Sequence, residues 1–363
     1  MGDSTPHTAE NCIDLTRNLV VWFRCSARDL PWRHDRTPYR VWLAEVMLQQ
    51  TRTETAIPYY ARFLERFPSI ESLAKASLEE VLKVWEGLGY YARARHLHAA
   101  ARQVVREHGG RLPETFEELI ALPGVGSYTA GAVASIAFGA PVVALDGNAS
   151  RVLSRRFAVA GDPRRAVTRK RLETLAQACL LAECPGVFNE ALIELGATVC
   201  HPRNPECGRC PLANACRAHA QGREEAFPQR APRRPVPHYD VTAAVLTRDG
   251  TVLVTQRERD DFLGGLWEFP GGRQEDGETL AQCLRRELQE ELGIEVAIGE
   301  PLLRFGHAYT HFRITLHVFR CELLRGVPQC LECAAVRWAR PEELDALPMS
   351  VADRRIADLV QLE

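Results

Sequence analysis

The spacing of apolar residues changes once along the chain, and this change limits the fold more than any other feature of the sequence. From about residue 11 to 220, apolar residues recur at three and four positions and runs end at Gly or Pro, as in amphipathic helices. Segment 221–237 has four prolines, many charges and almost nothing apolar, which indicates a linker. From residue 238 the period becomes two. We therefore expect a multi-domain protein, all-α over 11–220 and α+β over 238–363.

The C-terminal module opens with a hairpin signal. The stretch DVTAAVLTRDGTVLVTQRER holds two alternating runs on either side of Asp249-Gly250, a dipeptide that favours a two-residue β-turn. One helical stretch follows at 278–292, and FRITLHVFRCEL then alternates again. These elements predict a small α+β domain without internal repeats.

Composition excludes some classes of protein and leaves others open. The net charge of the 363 residues is only −2, so overall charge does not indicate a nucleic-acid partner. Basic residues do concentrate in 90–111 and 164–171, which fits either a polyanionic partner or solvated helix faces. No apolar run approaches the roughly 18 residues of a membrane span, and MGDSTPHTAENC has neither the basic nor the apolar block of a secretory signal. We expect a cytoplasmic monomer with reduced thiols and no membrane partner.

The stretch LPGVGSYTAG, residues 122–131, is typical of a tight turn between two short helices. Gly124, Val125 and Gly126 would let backbone N–H groups point outward at the start of the next helix, where they can bind a phosphate without a side-chain charge. Such turns also serve only as helix caps, so the signal is modest on its own. About twenty residues later, VVALDGNASRVLSR places Asp146 at another helix start.

Together, LPGVGSYTAG and LDGNASRVLSR resemble the helix-hairpin-helix DNA glycosylases of the endonuclease III superfamily. WLAEVMLQQTRTETAIPYYARFLERFP, VWEGLGYYARARHLHAAA and FNEALIELGATVC narrow the resemblance to the MutY family of adenine DNA glycosylases. The match runs almost uninterrupted from about residue 15 to 220. It implies base excision repair of duplex DNA, in which adenine is flipped out and removed opposite 8-oxoguanine or guanine.

Tyr128 lies where superfamily members that also cut the DNA backbone carry a lysine. That lysine forms a Schiff base with the sugar, which a phenol cannot do, and all three lysines of this chain lie elsewhere. The resemblance therefore implies a glycosylase without efficient lyase activity, and it disfavours a bifunctional endonuclease III-like enzyme. Packing alone is the alternative role for Tyr128.

Cleavage of an N-glycosidic bond needs a proton on the departing base and a negative group near the cationic sugar. Glu45 lies in an apolar helical stretch, where burial would raise its pKa and keep it protonated. Asp146, with Asn148 close by, would receive backbone donors that keep it ionised. The resemblance assigns adenine protonation to Glu45, stabilisation of the sugar cation to Asp146, and positioning to Asn148 and Tyr128. A buried ion pair and an ordinary N-cap are the alternatives for the two acids.

The resemblance also assigns residues that extrude and hold the base. The wedges that fill the gap in the DNA would be Gln50 and Tyr90. The adenine pocket would consist of Arg28, Trp32, Arg33 and Glu190. Core packing is the alternative for the two aromatic residues.

Four cysteines in CHPRNPECGRCPLANAC could hold either tetrahedral zinc or an iron–sulfur cluster: Cys200, Cys207, Cys210 and Cys216. The resemblance selects a [4Fe–4S] cluster with a structural role. Arg203 and Arg209 lie between the ligands, so the loop would present basic side chains to phosphate. We expect the other eight cysteines, including the pair Cys330 and Cys333, to be ordinary thiols.

Residues 238–363 resemble the Nudix-like domain of the MutY family, which reads 8-oxoguanine through a Phe-Ser-His loop. Here Tyr309, Thr310 and His311 occupy that register, with two of the three residues different. An ordinary strand edge is the alternative.

The C-terminal module also contains a complete Nudix box over 272–294, which the MutY family usually lacks and which resembles the MutT family of 8-oxo-dGTP hydrolases. Its characteristic residues are Glu278, Arg286, Glu287, Glu290 and Glu291. Crowding of glutamates on one helical face suggests Mg²⁺ at Glu287, Glu290 and Glu291. Two hypotheses follow: a second, Mg²⁺-dependent pyrophosphohydrolase activity, or an inherited box without one. A nucleotide hydrolase merely tethered to DNA is the alternative for the whole chain.

Overall fold

The computed structural model describes residues 9–229 and 235–362, with side chains from residue 16 onward. Within these ranges the chain forms two compact units, one of residues 9–74 and 99–229, the other of residues 75–98 and 235–362. Residues 230–234 of the predicted linker lie outside the described residues. The assignment of 75–98 to the second unit was not predicted from the sequence.

The first unit is helical, as expected. Its complete helices are α1 Ala9–Ser26, α2 Pro31–His34, α3 Pro38–Leu48, α4 Thr53–Arg66, α5 Ile70–Lys75, which ends at the unit boundary, α8 Phe116–Leu119, α9 Ser127–Phe138, α10 Gly147–Phe157, α11 Ala166–Cys179, α12 Pro185–Thr198 and α13 Arg217–Ala220. Helices α6 Leu78–Trp85 and α7 Ala92–His108 lie between α5 and α8 in the sequence. In the described part of the chain, no helix is both long and apolar enough to cross a membrane.

A core around α10 and α12 fixes the helices that carry the predicted site. Phe157 from α10 and Phe188, Leu192 and Leu195 from α12 are all buried in it. The segment after α13 packs against this unit as well, because Phe227 is 6% exposed and its carbonyl accepts a hydrogen bond from Arg155 at 3.0 Å. The part of the predicted linker from 224 to 229 thus packs against the first unit, where the side chains of Glu225 and Gln229 also accept hydrogen bonds from backbone N–H groups.

The second unit contains a mixed sheet. Its strands are β1 His238–Arg248, β2 Thr251–Gln256, β3 Trp267–Glu268, β4 Glu295–Ala308, β5 Arg313–Arg325 and β6 Ala335–Ala339. The order is β3-β2-β1-β5-β4, with β6 also paired to β2, and only β1 and β5 run parallel. The predicted hairpin is confirmed, since Asp249 and Gly250 connect β1 to β2 with φ of 49° and 73°.

Two helices cover the sheet, α14 Leu280–Leu292 and α15 Val351–Leu362. The period-two pattern of β1 explains this, because Ala243 and Val245 pack in the core that contains α15, and Ala244 and Leu246 in the one that contains α14. The predicted fold class, an all-α unit followed by an α+β domain, is thereby confirmed.

Candidate active site

One cleft of the first unit is lined by all four predicted catalytic residues. Its volume is about 1170 Å³, and its wall contains Glu45, Tyr128, Asp146 and Asn148. The predicted adenine pocket and one predicted wedge line the same wall: Arg28, Trp32, Arg33, Glu190 and Gln50. The two carboxyl groups thus face one space rather than separate cavities.

Glu45 is the buried acid of this cleft. It lies on α3, where its neighbours Leu43, Ala44 and Val46 are buried too, and it is itself 8% exposed. Burial raises the pKa of the Glu45 carboxyl to about 7, against the lowering effect of a hydrogen bond from the Tyr128 hydroxyl at 2.7 Å. A carboxyl group with this pKa retains much of its proton at neutral pH.

Asp146 caps the N-terminus of α10. Its carboxylate accepts hydrogen bonds from the Ala149 backbone N–H at 2.7 Å and from the Asn148 side-chain amide at 2.9 Å. Burial nevertheless raises the pKa of Asp146 from its ordinary value, and these donors and Arg151 only oppose the rise. Burial and the donors thus act in opposite directions on Asp146, and its ionised state at neutral pH stays a prediction.

Arg151, which the sequence did not single out, holds the loop that carries Asp146. Its guanidinium donates to the Asn148 side-chain oxygen at 2.8 Å and to the Gly196 carbonyl at 2.7 Å. It also donates to the carbonyl of Cys200 at 2.7 Å. A continuous chain of hydrogen bonds thus runs from the first cysteine of the Cys-rich loop through Arg151 and Asn148 to Asp146.

Close packing between α12 and the start of α10 supports the same loop. A Cβ atom at Gly196 would lie 2.5 Å from the Cβ of Asn148, closer than real Cβ contacts occur. Only glycine at position 196 therefore lets the two helices approach this closely.

The predicted adenine pocket is held by a chain of ion pairs. Glu194, on α12, accepts two hydrogen bonds from the Arg28 guanidinium at 2.9 and 3.0 Å and one from Arg33 at 3.0 Å. Burial alone would raise the pKa of Glu194, but these arginines lower it to about 2. Glu190 pairs in turn with Arg33 at 3.5 Å and with Arg36 at 2.6 Å. Glu194 and Arg36 were missed because their partners are distant in sequence.

The turn of residues 122–126 adopts the predicted form, between α8 and α9. Gly124 needs its φ of 73°, whereas Gly126 has a φ of −90°, which any residue can adopt. A Cβ at Gly126 or at Gly147 would still meet nothing within 4 Å. The backbone at these two helix starts is therefore open to close approach by another molecule. Val125 is buried beneath the turn.

The four predicted metal ligands line one small cavity: Cys200, Cys207, Cys210 and Cys216. Arg155 donates to the Cys200 sulfur at 3.3 Å, which suits a thiolate. Burial, with the neighbouring thiols, raises the pKa of Cys207 and of Cys210 to about 11, so a bound cation is needed to keep these sulfurs ionised. The donor set fits a thiolate-ligated metal group.

The basic side chains of this loop are both exposed. Within the described part of the chain Arg203 has no ion-pair partner, while Arg209 pairs with Glu206 at 2.7 Å. An ion pair this exposed contributes little to stability, so Arg209 can exchange its partner for a phosphate.

In the second unit, Tyr90 and Thr310 lie together, and their hydroxyl groups are hydrogen-bonded. His311 is exposed beside them in the turn between β4 and β5. Tyr309 lies in a cluster of aromatic side chains. Its ring packs against Phe262 and two other aromatic side chains with centroid distances of 4.6–5.1 Å, and its hydroxyl is hydrogen-bonded to Ser350. The ring is half-buried in this cluster and also lines a cavity of about 320 Å³, so its stacking on 8-oxoguanine stays a prediction.

The glutamates of the Nudix box surround Arg286 on α14. This guanidinium lies 2.7 Å from Glu278, 2.9 Å from Glu287 and 3.0 Å from Glu290. Arg286 thus supplies part of the positive charge that the crowded carboxylates require. Glu291 is turned towards the interior, and burial raises its pKa to about 7.

Comparison with known proteins separates the helical part and its Cys-rich loop from the sheet domain. Residues 43–178 match the family profile of the HhH-GPD superfamily base excision DNA repair proteins, and residues 200–216 that of the iron–sulfur binding domain of endonuclease III. Residues 241–359 match the NUDIX domain. A solved thermostable thymine-DNA glycosylase is 29% identical with a TM-score of 0.55, over 60% of this chain and 100% of that one.

Two relatives extend the similarity across both units. The adenine DNA glycosylase of Rattus norvegicus is 38% identical over 96% of this chain and 79% of its own length. That of Homo sapiens is 36% identical over 95% of this chain and 73% of its own length. Because the identity spans the helical unit, the Cys-rich loop and the sheet domain alike, the chain belongs to the adenine DNA glycosylases.

Proposed function

We propose that this glycosylase removes adenine paired with 8-oxoguanine or with guanine in duplex DNA. The observation that carries the proposal is the shared cleft of Glu45 and Asp146, in which burial brings the pKa of Glu45 to about 7. An acid that is half protonated near neutral pH and a second, hydrogen-bonded carboxyl group meet the two requirements of N-glycosidic cleavage.

In this mechanism, Glu45 donates its proton to a ring nitrogen of the extruded adenine, so that the base leaves as a neutral molecule. Asp146 stabilises the positive charge that develops on the sugar, and water completes the hydrolysis. Asn148 orients Asp146 through its 2.9 Å hydrogen bond, and Tyr128 orients Glu45 through its 2.7 Å hydrogen bond. The arginines paired with Glu194 form the wall of the adenine pocket.

Backbone conformation supports Gln50 and Tyr90 as the wedges that replace the extruded base. Both have positive φ, 59° for Gln50 and 49° for Tyr90, which is uncommon for residues other than glycine. Strained backbone of this kind is found mainly at functional sites, where the surrounding structure holds it in place. The turn of Gly124, Val125 and Gly126 would bind a phosphate of the same DNA through the open backbone at Gly126, since the Val125 N–H already donates to the Leu122 carbonyl.

Recognition of the opposite base rests on Thr310 with Tyr90 and His311. The Thr310 hydroxyl both donates and accepts, as a contact to the altered edge of 8-oxoguanine requires. Its hydrogen bond to Tyr90 links that contact to the proposed wedge.

A lyase step is not part of the proposal. No lysine lines the cleft among the residues that the structure describes. Tyr128 lies at the position where superfamily members that cut the DNA backbone carry a lysine. We further propose that Cys200, Cys207, Cys210 and Cys216 hold a [4Fe–4S] cluster, a group that would tie the loop together. Arg151 then connects this loop to Asn148.

The test is single-turnover cleavage of A:8-oxoG, A:G and A:C duplexes, with and without subsequent alkali. We expect strand breaks only after alkali, and the fastest release from A:8-oxoG. Glu45→Gln should bind the A:8-oxoG duplex and release no adenine, whereas Glu65→Gln, which alters an exposed glutamate of α4, should behave as the wild type. Near-normal turnover by Glu45→Gln would remove the basis of the mechanism.

A second candidate activity is Mg²⁺-dependent pyrophosphohydrolysis at the Nudix box. The convergence of Glu287 and Glu290 on one guanidinium supports it, because this arrangement holds two carboxylates close enough to share a cation. The full chain should release pyrophosphate from 8-oxo-dGTP only with Mg²⁺. Glu290→Gln should abolish the release, and Glu275→Gln, at an exposed position outside the cluster, should not. If the full chain releases no pyrophosphate, the Nudix box has no hydrolase activity and this second candidate is wrong.

A further inference from the structure

Two cysteines of the second unit lie together in the segment between β5 and β6. Cys330 is exposed, and Cys333, three positions further along the chain, is half-buried. The thiol of Cys333 lies close enough to that of Cys330 for the two groups to interact. Two sulfurs in such contact are within reach of the bond that a disulfide requires.

The segment that holds these cysteines caps the C-terminus of α14. The Gln329 N–H donates to the Leu292 carbonyl at 3.1 Å, and the Leu331 N–H donates to the Glu291 carbonyl at 2.9 Å. The last carbonyls of a helix have no partner within the helix, so they depend on donors such as these. Opening of the cysteine segment would therefore remove these donors from the last turn of α14, so the structural stability of the two is coupled.

The two thiols differ in their surroundings. Cys333 packs beside the core that contains α14, and burial raises its pKa above the ordinary value of a thiol, with Glu291 and Glu258 acting in the same direction. Cys330 faces solvent, where a small oxidant can reach it. This asymmetry suits an attacking thiol at the surface and a resolving thiol behind it.

We propose that Cys330 and Cys333 form a reversible dithiol–disulfide site, with a glutathione-type disulfide as the oxidant, and that its closure fastens the capping segment to α14. The Cys330 thiolate attacks the oxidant and forms a mixed disulfide, which releases one glutathione. Cys333 then loses its proton to solvent, and its sulfur displaces the second glutathione. Two protein thiols are thereby oxidised to one disulfide, and one glutathione disulfide is reduced to two glutathiones.

The test uses the full chain with its metal group bound, equilibrated in mixtures of reduced and oxidised glutathione, alkylated and digested with trypsin. Both cysteines fall in one tryptic peptide, GVPQCLECAAVR, which contains no other cysteine. With increasing oxidised glutathione, this peptide should lose two hydrogens and escape alkylation, and reduction should reverse the change. Cys333→Ser should instead accumulate a glutathione adduct on Cys330. Cys25→Ser, which removes an exposed thiol elsewhere, should leave the transition unchanged.

Hydrogen exchange gives the second readout. In the oxidised protein, the amides of Gln329 and Leu331 should exchange several-fold more slowly than in the reduced protein, because closure restricts opening of the segment. A peptide that remains alkylated at both cysteines in the most oxidising mixture would overturn the proposed site. A disulfide that forms without slowing these amides would overturn its coupling to α14.

Discussion

Replacement of Tyr128 by Phe should move the alkaline limit of adenine release to higher pH. The reaction needs Glu45 in its protonated form, so the rate is retained below the pKa of Glu45 and lost as the pH rises through it. That pKa is about 7 with the Tyr128 hydrogen bond in place, and the bond lowers it because it stabilises the carboxylate. Phe keeps the ring but removes the donor.

The size of the shift follows from the lost hydrogen bond. A hydrogen bond to a charged group contributes about 1.5–3 kcal/mol, and one pKa unit corresponds to about 1.4 kcal/mol. The alkaline limit should therefore rise by about 1–2 pH units, from about 7 towards 8–9. The assay is the single-turnover rate of adenine release with enzyme in excess, measured from pH 5 to 10.

Two comparisons isolate the cause. Tyr59→Phe, in which another tyrosine loses its hydroxyl outside the cleft, should retain the wild-type profile. The acidic limit of the Tyr128→Phe profile should change less than the alkaline one, because Asp146 keeps its donors Ala149 and Asn148. An alkaline limit that stays in place, or moves downward, would refute the assignment of that limit to Glu45.

Four further results are expected. Arg151→Met should slow single-turnover adenine release at least tenfold with little change in DNA affinity, since it frees Asn148. Glu194→Ala should lower the free energy of unfolding in urea by about 1–3 kcal/mol, because Arg28 loses its main partner and Arg33 keeps only Glu190. Cys207→Ser should reduce the iron content and visible absorbance of the purified protein. Thr310→Ala should reduce the preference for A:8-oxoG over A:G about two- to tenfold, the equivalent of one hydrogen bond.

The parts of the structure that local sequence determines were predictable. Asp249-Gly250 forms its hairpin turn because both residues tolerate positive φ, and Asp146 begins α10 because its side chain caps the next amides. The burial of Glu45 was likewise predictable from the apolar residues around it on α3.

Contacts between distant residues could not be read in the same way. Glu194 and Arg28 are separated by 166 positions in the sequence, and Arg151 lies 49 positions before Cys200, whose carbonyl accepts its hydrogen bond. Nothing local distinguishes these charged side chains from solvated ones until the helices pack. The aromatic contact of Tyr309 has the same origin, because its partner Phe262 comes from another loop.

Gly196 lies outside the cleft, but the position of Asn148 in the cleft wall depends on its lack of a side chain. A single added methyl group there would have to displace Asn148, whose Cβ lies 2.5 Å from the position that it would occupy. The displacement would be passed to the Asp146 carboxylate, since Asn148 is bonded to it. Selection at position 196 should consequently be as strict as at the reacting groups themselves, although this residue has no side chain with which to touch DNA.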